Sequence, residues 1–189
     1  MCKFTLKKRN ETSLLGRIRD LTIDNISAKV RGTTTITGHI DQPLENIRMS
    51  NVRLLMDTEN AKDKRASDAI RIDTVKGLKL RDVSVEWNDN ETEPAWQSAL
   101  VLKNISDFTV DGFSGRQGLK DKDSAAIRVE NCVDGIVRNC SAINGTATFI
   151  YVAGSGTKDV VVKDNRTAKA KKPFTFENKL VEKSVIIDK

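Results

Sequence analysis

LENIRMSNVRL, residues 44–54, holds a six-residue phrase: Ile47 and Met49 flank one polar residue, Ser50 and Asn51 follow, and Val52 closes it. The phrase returns in RDLTIDNISA from Arg19, KGLKLRDVSV from Lys76 and SDFTVDGFSG from Ser106. Aligned on its first position, the anchors are Leu21, Ile47, Leu78, Phe108, Gly135, Val160 and Val185, spaced 25 to 31 residues apart. Two places later stand Ile23, Met49, Leu80, Val110, Val137, Val162 and Ile187; three further on come Ile26, Val52, Val83, Phe113, Cys140 and Asn165. The i, i+2 spacing of the first two columns is that of a strand showing one face to a core. Recurrence at such a period marks a fold in which each unit buries its apolar face on its neighbours.

A second phrase lies upstream in the later repeats: AIRIDTV from Ala69, ALVLKNI from Ala99, AIRVENC from Ala126, FIYVAGS from Phe149 and PFTFENK from Pro173. Ile70, Leu100, Ile127, Ile150 and Phe174 make one inward column, and Ile72, Leu102, Val129, Val152 and Phe176 the next. The position before the phrase's closing apolar residue holds Asn25, Asn51, Asp82, Gly112, Asn139 and Asp164. These residue types tolerate a left-handed backbone, so the column predicts the turn between two strands of one coil. Leucine-rich repeats need a helical return, and a β-sandwich gives no register across repeats; neither fits. The chain reads as all-β: one single-stranded parallel β-helix domain over 1–189, about seven coils of roughly 25–31 residues. Residues 1–15 form a divergent edge or cap, 16–177 the coils, and 178–189 the last strand and C-terminal end.

Lys and Arg exceed Asp and Glu by 32 to 26, for a net charge of +6. The excess favours an anionic partner, but the charges are scattered and carry no nucleic-acid reading motif, so no nucleic-acid partner is expected. Three cysteines and one histidine give no metal-ligand spacing, and no cofactor motif is present. Cys132 and Cys140 fall in inward columns and read as small core residues; a disulfide between them is the alternative. No stretch is long and apolar enough to cross a membrane, and MCKFTLKKRN has no apolar signal-peptide core. Asn-x-Ser/Thr triplets at Asn10, Asn25, Asn90, Asn104, Asn144 and Asn165 read as by-products of polar turns.

From Gly16 to Glu177 the chain resembles the C-terminal part of glycoside hydrolase family 28, the polygalacturonase-like enzymes. GRIRDLTIDNISA is similar to the phrase after the family's last catalytic motif. ITGHIDQPLENIRMSNVRL, SDAIRIDTVKGLKLRDVSV and SALVLKNISDFTVDGF are similar to its consecutive late coils. The resemblance implies a right-handed, pectin-lyase-type coil and a link to pectin-like polysaccharides in a family usually secreted or periplasmic. Inverting hydrolases need an acid and a base carboxylate about 6.5–9.5 Å apart. The family carries them in Asn-Thr-Asp, Asp-Asp, Gly-His-Gly and Arg-Ile-Lys, and none of these is present. SDAIRI puts Ser67 before Asp68, GHI at Gly38 lacks the second glycine, and RIR at Arg17 has Arg for Lys. No catalytic residue is therefore assigned. The resemblance implies either a piece of a longer enzyme or a stand-alone coil without the chemistry. An open coil end calls for a cover, either Phe4 and Leu6 or a homodimer.

Three readings follow: a non-catalytic coil associated with acidic polysaccharide, a hydrolase using Asp68 with Asp41 or Asp73, and a structural or adhesive coil. Candidate sugar contacts are the outward column of the second phrase, Arg71, Val101, Arg128, Tyr151 and Thr175. Arg can pair with a sugar carboxylate in two-pronged fashion, and Tyr151 can stack on a sugar face. Trp87 and Trp96 flank the acidic excursion NDNETEPAW as further platforms, with burial as loop anchors the alternative reading. TENAKDKRASD, from Thr58 to Asp68, reads as a solvated excursion.

Overall fold

A computed structural model describes residues 2–60, 65–120 and 122–188. It is a parallel β-solenoid of about six turns. Seven stacked anchors enclose only six intervals, which accounts for the difference from the seven coils counted on the sequence.

The strands are β1 (Lys3–Thr5), β2 (Thr22–Val30), β3 (Thr34–Thr37), β4 (Leu44–Met56), β5 (Ile70–Trp87), β6 (Leu100–Asp111) and β7 (Ser114–Gly115). There follow β8 (Ala125–Glu130), β9 (Val133–Arg138), β10 (Ser141–Ala142), β11 (Thr146–Ala153), β12 (Lys158–Lys163), β13 (Ala170–Phe176) and β14 (Val185–Ile187). The one helix among the described residues is α1 (Lys179–Lys183).

The repeat alignment is the hydrogen-bond register. On the anchor face Ile23 pairs with Met49, Met49 with Leu80, Leu80 with Val110, Val110 with Val137, Val137 with Val162, and Val162 with Ile187. On the other face the order is β1-β3-β5-β6-β8-β11-β13, with Ile70, Leu100, Ile127, Ile150 and Phe174 in one line. One strand spacing is about 4.8 Å, so each inward column is a continuous ladder of apolar side chains.

Three left-handed columns bend the coil between its faces. The expected one has φ of 55° at Asn25, 49° at Asn51, 51° at Asp82, 79° at Gly112, 53° at Asn139 and 54° at Asp164. A second immediately precedes the anchors, at Asp20, Asn46, Gly77, Asp107, Asp134 and Asp159. A third is Thr74, Asn104, Asn131 and Gly154. Amide side chains tie these bends from coil to coil: Asn46 Nδ2 donates to Asp20 at 3.1 Å, and Asn104 Nδ2 to Asp73 at 2.9 Å.

Both ends are covered in part. β1 adds to β3, with Phe4 opposite Ile36, and the Leu6 amide donates to Thr37 at 2.9 Å. Leu6 is buried, so the N-terminal segment is a cap on that face. At the other end the structure adds a helix the sequence reading did not contain. Asn178 caps it, accepting from the amides of Leu180 and Val181 at 2.9 and 3.1 Å, and Val181 is buried against the coil. Cys132 and Cys140 are fully buried and unbridged. Both sit in their columns as small apolar residues, and burial pushes their thiols up to about 11 and about 12.

Candidate functional site

The expected outward column exists. Arg71, Val101, Arg128, Tyr151 and Thr175 are paired in sequence across five adjacent strands. Their environments differ, and only one end of the column lines a cleft.

That cleft, of about 420 Å³, is walled by Gln97, Asp123 and Ser124 and bounded opposite by Arg128, Tyr151 and Thr175. Its floor is a second outward column of small residues, Ser98, Ala125 and Thr148, ending at Lys172. Thr148 and Lys172 stand two residues before the inward Ile150 and Phe174, so simple alternation would turn them inward; they line the cleft instead. From β6 to β13 the cleft crosses three strand spacings, about 14 Å. It therefore runs along the solenoid axis as a short groove.

Arg128 is held from below. Its Nε and Nη2 donate to Glu130 at 3.1 and 2.8 Å, and Lys103 reaches the other oxygen of Glu130 at 2.9 Å. The Lys103 hydrogen bond and, behind it, those from Arg128 lower the Glu130 pKa despite burial. The guanidinium lies 5.3 Å from the centre of the Tyr151 ring, within cation–π range. Two of its five N–H donors are used, so the rest can meet an acceptor in the groove. Tyr151 offers its hydroxyl and the ring face that Arg128 leaves open. Lys172 lies 3.7 Å from the exposed Asp123 across the groove.

Arg71 is in the column but not in the groove. Its Nη2 pairs with buried Asp68 at 3.2 Å, and Val101, 3% exposed, separates it from Arg128. Asp68 also accepts from the Ser98 amide at 3.1 Å, fixing one end of the groove floor.

The two tryptophans are not platforms. Trp87 is 5% and Trp96 0% exposed, with ring centres 4.9 Å apart. The acidic excursion folds back on the coil instead of standing off it. The Trp87 indole donates to the Arg116 carbonyl at 2.9 Å, and Arg116, itself buried, donates to the Gln117 and Gly118 carbonyls and to Asp89. The Gly118 amide donates to the Gln97 carbonyl at 2.6 Å. The tryptophan pair thus anchors the loops that build the groove wall. Of the neighbouring excursion from Thr58 to Asp68, residues 61–64 lie outside the described residues.

The carboxylates weighed for hydrolysis are occupied. Asp68 is buried and paired with Arg71, and Asp73 accepts from the Thr74 hydroxyl and the Asn104 amide at 2.9 Å each. Asp41 is in the turn after β3, its carboxylate paired with Lys8 at 3.5 Å and its amide donating to His39 Nδ1 at 3.2 Å.

No family profile matches the chain, and no curated protein matches it. Among solved structures it is similar to a protein from Parabacteroides merdae, described as a proposed glycosyl hydrolase, with a TM-score of 0.37 and 12% identity. The match covers 86% of this chain and 81% of that one.

Proposed function

We propose that the chain is a non-catalytic, polygalacturonase-like β-solenoid that holds a segment of acidic polysaccharide in the groove beside Arg128 and Tyr151. One observation carries the reading: Arg128, Tyr151 and Lys172 converge on a floor of small residues that runs along the solenoid axis. A linear polymer can lie there with two cations reaching its carboxylates and a tyrosine against a ring. Sugar sites combine these parts, a few placed polar groups with an aromatic surface. The family 28 resemblance of the late coils supports a pectin-like polymer, and the missing catalytic motifs support binding without cleavage.

The test is calorimetric titration of polygalacturonate into wild type and into the Arg128→Ala/Tyr151→Ala double variant. Binding should weaken about tenfold or more, the cost of one charged hydrogen bond and one aromatic contact. Equal affinity of the two proteins removes the groove from the reading. Release of reducing ends from the polymer by wild type overturns its non-catalytic part.

A further inference from the structure

The outward face of the anchor sheet carries a feature that the groove does not use. Arg48 on β4 and Lys79 on β5 are direct cross-strand neighbours, and Arg81 lies two residues beyond Lys79, opposite Ser50. Lys76, on the same strand, and Arg53, on β4, extend the group; all five are exposed. Arg81 pairs with the adjacent Asp82 at 3.4 Å. Among the described residues, no ion pair or side-chain hydrogen bond engages Arg48, Arg53, Lys76 or Lys79.

This arrangement works against the fold. Like charges directly opposite on adjacent strands destabilise the pair, and the same column elsewhere holds Thr22 and Thr109 without penalty. The nearby carboxylates are Glu45, opposite Lys76; Asp24, opposite Ser50 in the column of Arg81; Glu86, two residues past Ser84, which is opposite Arg53; and Asp82 and Asp111. Asp111 is already satisfied by Arg138 at 2.8 Å and Asn139 at 2.7 Å. With Asp111 taken up by Arg138, five cations stand against four carboxylates, and the excess sits where Arg48 and Lys79 lie side by side without an ion pair.

We propose that the β4–β5 face is a second anion-binding surface, taking the closely spaced carboxylates or sulfates of an acidic polysaccharide. Charge complementarity selects an anion. The flat sheet selects the polymer: among the described residues, no exposed aromatic ring stands with these cations for bases to stack on, and no helix or ribbon projects from this face to enter a duplex groove. Two left-handed bends, at Thr74 and Gly77, turn this face away from the groove strand of the same coil. The surface is therefore independent of the groove, and the inference stands or falls separately from it.

The experiment uses the Arg128→Ala/Tyr151→Ala variant as background, so that groove binding does not contribute. Into it go Arg48→Thr, Lys79→Thr and Arg81→Ser, residues that these columns already hold at Thr22, Thr109 and Ser50, with circular dichroism to confirm the fold. Dextran sulfate and polygalacturonate are titrated at low and at raised salt. Affinity for both polymers should fall about tenfold or more at low salt, and its salt dependence should flatten. A control removing Lys3 on β1 and Lys179 and Lys183 on α1, all exposed and off this sheet face, loses the same formal charge elsewhere and should bind as the background does. Unchanged affinity in the triple variant overturns the proposal, as does an equal loss in the control. Tighter binding of a single-stranded or duplex oligonucleotide than of either polysaccharide overturns the choice of partner.

Discussion

Replacing Gly135 by valine should destabilise the coil severely, although valine is what the repeat asks for there. The anchor column is otherwise Leu21, Ile47, Leu78, Phe108, Val160 and Val185. The backbone of Gly135 is not in the left-handed region, so conformation does not demand glycine. Packing does. A Cβ at 135 would stand 1.9 Å from Phe108 Cε1 and 2.1 Å from Cζ. Ordinary contact is about 3.5–4.0 Å, so the ring would have to move by about 1.5 Å or more. Phe108 is 2% exposed and paired with Leu78 on its other side, which leaves it little room. Overpacking costs about 1–3 kcal/mol, occasionally more, and the depth of this overlap places Gly135→Val at about 3 kcal/mol. That is a fall in melting temperature of roughly 6–12 °C for a chain of this size. The assay is urea and thermal unfolding followed by far-ultraviolet circular dichroism. Phe108→Val alone should also destabilise, by leaving a cavity. The pair Phe108→Val/Gly135→Val should recover most of the loss, a coupling of about 2 kcal/mol. A single Gly135→Val variant within 0.5 kcal/mol of wild type, or a double variant no better than the sum of the singles, refutes the reasoning.

Two further outcomes follow from burial and ion pairing. In native protein, iodoacetamide should label Cys2 alone; Cys132 and Cys140 should react only after unfolding, because they are buried and burial raises their thiols. Intact mass before and after denaturation reads this directly. Asp57, Asp111 and Glu130 all have lowered pKa values, led respectively by hydrogen bonds from Asn88, Asn139 and Lys103. A lowered folded-state value means stability that is present above the unfolded values, 3.8 for Asp and 4.5 for Glu, and lost as pH falls through the folded ones. The melting temperature should therefore hold from neutral pH to about 5 and drop below about 4, with a smaller drop in Asp57→Asn. A melting temperature that rises on acidification contradicts the assignment.

The sequence made the inward columns and one turn column legible because each obeys a local rule. Alternation fixes which side chains face the core, and Asn, Asp or Gly marks the left-handed bend. The bends before the anchors carry the same residue types, at Asp107, Asp134 and Asp159, and obey the same local rule. Helix α1 is only five residues long, too short for a periodic signal, and its one cue was Asn178 as a cap. At the candidate site the outward column was correctly ordered, but its chemistry was not readable. Whether Arg71 is free depends on Asp68, and whether Trp87 and Trp96 face water depends on how the 88–98 excursion folds back.

What the sequence determined by itself is the repeat: strand, bend and core are periodic properties, and each coil must match the next to bury its face. Tertiary structure alone decided the surface. It set Gly135 beneath the Phe108 ring, sank both tryptophans, engaged Arg71 and gathered Arg128, Tyr151 and Lys172 around one groove. These groupings join residues as near in sequence as Asp68 and Arg71 and as distant as Arg128 and Lys172, through excursions that have no common length from coil to coil. Periodicity places a side chain inside or outside; only the packed neighbours say what it meets there.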